Sequence, residues 1–134
     1  MNTTQRLGLT CLTLAAAILP SCGSTRIAGR VVQGPAGIPL VVPASDPRVT
    51  EAIPVPGVTV SVIGEQGKTI VSALSAENGN FTISIPSAQT PTRAVEIRAE
   101  GPGIFDATGS VYLPRDGSWI IYTVKSDPAA ASPR

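Results

Sequence analysis

From Arg26 onward, apolar and polar residues alternate with a period of two, the mark of strands with one buried face. In "AVEIRAEG", Val95, Ile97 and Ala99 share one face, and Glu96, Arg98 and Glu100 share the other. "GVTVSVIG" sets Val58, Val60 and Val62 against Thr59, Ser61 and Ile63, and "NFTISIP" sets Phe81, Ile83 and Ile85 against Thr82 and Ser84. With "RIAGRVV", "KTIVSAL", "SVYLP" and "WIIYTVK", the pattern predicts seven strands. Asn78-Gly79 in "ENGN" predicts a type I′ turn between a strand ending near Ser75 and one starting at Phe81. Short strands punctuated by Gly and Pro, with no helical period, predict an all-β antiparallel sandwich.

Two stretches break the pattern. Gly34 to Gly57 holds six prolines, which cannot donate to a ladder, so it is expected to be mostly loop, with "IPLVV" at most a short edge strand. Such a long connection is either functional or a variable surface insertion. The closing "SDPAAASPR", residues 126–134, is expected to be a disordered tail.

The N-terminal segment follows another rule. "MNTTQR" carries the terminal amine and Arg6 with no acid, and Leu7 to Leu19 follow without a charge. This matches the positive and apolar regions of an export signal. Thirteen helical residues rise about 20 Å, short of the ~30 Å hydrocarbon layer. Leu19-Pro20-Ser21-Cys22 then resembles a bacterial lipobox: an aliphatic residue at −3, a small one at −1, then cysteine. The resemblance implies a signal peptide over 1–21, cleavage before Cys22, a diacylglyceryl thioether on the Cys22 sulfur, and a fatty acyl chain such as palmitate on its amine. A thiolate is the nucleophile such chemistry requires, and two or more chains make anchoring durable. Residues 22–25 are then the lipidated end and a short tether. Gly23 and Ser24 follow the cysteine where an aspartate would mark inner-membrane retention, which points to the outer membrane. The alternatives are a conventional signal, with Cys22 incidental, and an uncleaved anchor.

The order of elements resembles the carboxypeptidase regulatory-like domain. "IAGRVV" matches its opening strand, "PVPGVTVSVIG" its second, "SALSAENGNFTISIP" its Asn-Gly turn and phenylalanine strand, and "VEIRAEGPG" the strand that ends in glycine. The resemblance covers 26–125. It implies a seven-stranded, transthyretin-like Greek-key sandwich, commonly an accessory or adhesive module, with no catalytic residues to carry over.

Composition narrows the chemistry. The chain of 134 residues has no histidine, which removes the commonest general base and zinc ligand. Both cysteines, Cys11 and Cys22, lie in the N-terminal segment. Formal charge is +1; losing Arg6 from ten Lys plus Arg leaves nine against nine Asp plus Glu, so nothing favours nucleic acid. Glu96 and Glu100 share a solvent face, which argues against a glycosidase-like carboxylate pair. Glu77, Asn78 and Asn80 offer a single carboxylate, too few oxygens for calcium. An isopeptide bond would need a lysine on the first strand, where Arg26 and Arg30 stand. Aromatic residues are 4% of the chain. Tyr112, Trp119 and Tyr122 on the last two strands form a candidate sugar-stacking platform, with Trp119 as a core residue the competing assignment.

The expectation is therefore a non-enzymatic binding or structural module of the cell envelope, held to the membrane through Cys22. It needs no cofactor or metal, and its further partner would be an envelope protein or polysaccharide. The alternative is a carbohydrate-binding module using Tyr112, Trp119 and Tyr122.

Overall fold

The computed structural model describes residues 24–86, 91, 93–114 and 117–128. Eight strands form in this range: β1 (Ser24–Gln33), β2 (Ile38–Val42), β3 (Thr59–Ile63), β4 (Thr69–Leu74), β5 (Asn80–Pro86), β6 (Val95–Glu100), β7 (Ala107–Val111) and β8 (Trp119–Val124). They make two four-stranded sheets, ordered β2-β8-β1-β5 and β4-β3-β6-β7. The fold is all-β, as the alternation predicts, but the count is eight rather than seven. It is also not wholly antiparallel, because β1 and β8 run parallel from Gly29 opposite Ile120 to Gln33 opposite Val124.

Inward residues of both sheets close a single core. Ile27, Val31, Phe81, Ile83, Ile85, Ile120, Tyr122 and Val124 come from the first sheet, and Val60, Val62, Val95, Ile97 and Ala99 from the second. Each fully buried Val or Ile contributes about 1.5–3 kcal/mol. The Phe81 ring covers Gly29, its cross-strand partner; a Cβ on Gly29 would meet Phe81 Cζ at 2.1 Å.

The proline-rich stretch is mostly loop, with Ile38–Val42 as its short edge strand, and the loop is fixed to the sheet. It supplies β2, the outer strand beside β8, and a 3-10 turn at Pro47–Val49 that Asp46 caps by accepting from the Arg48 amide. The stretch folds back over the outer face of the first sheet. There Val49 and Val42 bury against Val32 and Ile121, with Ala52 and Trp119 at the margin. Arg30, projecting from β1 on the same face, donates to the carbonyls of Val49 and Ala52, the latter at 3.1 Å. Backbone bonds from Gln33 N to Ile53 O and from Val55 N to Val31 O, both 2.9 Å, finish the attachment.

Turn chemistry also departs from expectation. Gly79 has φ +80°, but Asn78 does not take a positive φ, so Asn78-Gly79 is not a type I′ turn. Gly79 N donates to Ala76 O at 2.8 Å, and the loop carries the chain from β4 in one sheet to β5 in the other. The type I′ geometry sits instead at Gln66 (φ 66°) and Gly67 (φ 73°), between β3 and β4. Past β8, Ser126 bridges to Ile104, and Asp127 N donates to Gly103 O at 2.9 Å, so the domain extends beyond Lys125. The rest of the proposed tail, from residue 129, lies outside the described residues.

Candidate functional site

Alternation along β8 decides the fate of the three aromatic candidates. Tyr122 points inward with Ile120 and Val124 and is fully buried. Its hydroxyl donates to the Ile97 carbonyl at 2.8 Å. Burial pushes its pKa far above the ordinary phenol value, and the negative charge of Glu96 pushes the same way. Trp119 lies three residues earlier, an odd interval, so it faces the opposite side, against the small cluster around Val32 and Ile121. Tyr112 follows the end of β7, not within a strand, and is 69% exposed. The structure thus does not bring Tyr112, Trp119 and Tyr122 onto one surface. The spacing of Trp119 and Tyr122 already carries this signal.

Among the described residues, three carboxylates pair with arginines. Asp46 accepts from the Arg48 guanidinium at 2.8 and 2.9 Å and from its amide at 2.9 Å. The side-chain hydrogen bonds to Arg48, followed by the backbone one, hold its carboxyl down to about 2. Glu96 pairs with Arg98, and Glu65 with Arg93, each at 3.2 Å. Asn78 Oδ1 accepts from Asn80 N at 3.0 Å, closing the turn on itself. Among the described residues, no group of three or more His, Cys, Asp or Glu could hold a metal.

A cleft of about 620 Å³ opens beside the β3–β4 turn, walled by Ile63, Ile70, Pro91 and Val95, with the Glu65–Arg93 pair in its lining. Its walls come from the β3–β4 turn and the approach to β6, segments that no single motif joins in sequence. It offers an apolar floor and one ion pair, with no nucleophile beside a base.

Leu19, Pro20, Ser21 and Cys22 lie outside the described residues. What the structure does place is the chain immediately after them. Ser24 and Thr25 are not a tether; they belong to β1 and pair with Pro86 and Ile85. Among the described residues no helix is long and apolar enough to cross a membrane. No protein-family model matches the chain, and a search of curated proteins finds no match.

Proposed function

We propose that this chain is an exported lipoprotein: a lipid-anchored, non-enzymatic β-sandwich serving as a binding or structural module of the cell envelope. The signal peptide is 1–21, and Cys22 bears the diacylglyceryl and N-acyl chains that hold it to the membrane, the outer one given Gly23 and Ser24. The sandwich is of the carboxypeptidase regulatory-like, transthyretin-like Greek-key type. One observation carries the anchor: an aliphatic–Pro–Ser–Cys sequence ends an uncharged apolar run and is followed within two residues by the first strand.

The non-enzymatic half draws support from how the polar side chains are spent. Asp46, Glu65 and Glu96 each pair with an arginine, and Ser75 donates to Val55 O while accepting from Val58 N. Such groups hold turns and strand ends in place rather than converge on a substrate. For the binding half, edge strand β2 leaves Ile38, Leu40 and Val41 exposed.

Metabolic labelling with an alkyne-bearing palmitate tests the anchor. Label is expected on the wild type and lost in Cys22→Ala. Label retained by Cys22→Ala, or absent from the wild type, refutes it.

A further inference from the structure

The sandwich has two chemically different ends. Ser24 pairs with Pro86 where β1 begins and β5 finishes. The Ala76–Gly79 loop ties the start of β5 to the finish of β4, so the finish of β5 lies with the start of β4. Ile63 opposite Thr69 and Glu96, and Val95 opposite Val111, bring the β3–β4 turn, the start of β6 and the finish of β7 to that same end. It therefore carries the cleft beside the β3–β4 turn and the exposed ring of Tyr112.

Charge follows the same division. Among the described residues, the β1-start end has Arg26, Lys68 and Arg93 exposed, against Glu65 and Glu96. The far end has Glu77, Glu100, Asp106 and Asp127 against Lys125. Lys125 is moreover drawn over the Phe105 ring, 5.6 Å from its centroid. A body polarised in this way turns its basic end toward an anionic surface and its acidic end away.

We propose that the β1-start end of the sandwich is a membrane-contact surface, seated on an anionic phospholipid bilayer with Tyr112 at headgroup depth. This rests on acylation of Cys22, since an anchor within two residues of a paired strand leaves no slack for the domain to stand off. A tyrosine with an apolar body and a polar tip suits that depth. Arg26 and Lys68 are the groups that face lipid phosphate, Arg93 being paired with Glu65.

The test uses the full acylated protein in vesicles of equal parts phosphatidylethanolamine and phosphatidylglycerol, doped with doxyl-labelled lipid. An environment-sensitive fluorophore is attached to Tyr112→Cys or, at the far end, to Glu77→Cys. Both positions are exposed, so neither substitution threatens folding. The expected result is loss of fluorescence by lipid quenching at 112 and unchanged fluorescence at 77, with weaker quenching at 112 when phosphatidylcholine replaces both lipids. Equal quenching at the two positions, or none at either, overturns the contact surface when the protein floats with the vesicles and mass spectrometry shows acyl chains on Cys22. Quenching at 112 that is the same in phosphatidylcholine overturns the role of charge. Absence of the acyl mass sinks the anchor itself, and the contact surface with it.

Discussion

Replacing Gly79 by alanine separates two costs that usually arrive together. Gly79 has φ +80°, and a Cβ there would lie 2.6 Å from the Val31 carbonyl oxygen and 3.0 Å from Pro54 Cβ. Ordinary carbon–oxygen contacts run about 3.3–3.6 Å, so something must move by about 0.7 Å. The Val31 carbonyl is poorly free to yield, because it accepts from Val55 N at 2.9 Å, and the Val31 amide donates to Gly79 O at 2.8 Å. Gly103 supplies the control: its φ is +79°, but nothing lies within 4 Å of its added Cβ. Gly103→Ala should therefore cost only the left-handed backbone penalty, about 1–2 kcal/mol. Gly79→Ala should cost that plus one disturbed buried hydrogen bond, about 1–3 kcal/mol more. The assay is equilibrium urea unfolding followed by Trp119 fluorescence, with unchanged m-values as the check that two-state behaviour persists. In a domain of this size the difference corresponds to about 4–8 °C in Tm per kcal/mol. If the two variants lose the same stability within about 0.5 kcal/mol, crowding against β1 contributes nothing and the account of this corner is wrong.

Three further expectations follow from the same geometry. Tyr122→Phe removes the bond to Ile97 O and should destabilise by about 1 kcal/mol on urea unfolding. Since the folded pKa of Tyr122 is raised, its contribution is present below about pH 10, where the unfolded phenol ionises, and is lost as pH rises beyond that; its phenolate absorbance should appear only together with unfolding. Gln66→Asn places a residue tolerant of left-handed φ before Gly67 and should stabilise by about 0.5–1 kcal/mol; no gain in Tm would contradict the type I′ assignment. Asp46 has a lowered folded pKa, so its contribution is present above about pH 4 and is lost as pH falls toward about 2. Carboxyl-carbon NMR should find that low midpoint, and Arg48→Ala should move it up toward the ordinary aspartate value.

Much of the sandwich is readable in the chain because its core strands obey one rule. Val95, Ile97 and Ala99 alternate in sequence and face inward in space, as do Phe81, Ile83 and Ile85. What escapes is whatever depends on distant partners. "ATGSV" of β7 has almost no apolar alternation, so the pattern points to "SVYLP" instead, whereas the strand runs Ala107–Val111 and ends before Tyr112. Order in the proline-rich stretch rests on Arg30 and Val32 meeting Val49 across some twenty residues, which local propensity does not register. The turn type at Asn78-Gly79 is decided by Gly79 docking on Val31, not by the dipeptide. For the proposed attachment point the position is reversed: Cys22 is legible only in sequence, and its neighbour Ser24, expected to be slack, is a paired strand residue.

The placement of β1 also has a temporal consequence. It is held on one flank by β5 and on the other by β8, with Gly29 matched to Ile120, a residue far along the sequence. Pairings so remote in sequence form late. A polypeptide emerging amino-end first, whether from a ribosome or through a translocation pore, therefore has β1 only half-partnered until β8 is delivered. The first sheet closes around the earliest of its four strands, which has waited longest for its second neighbour.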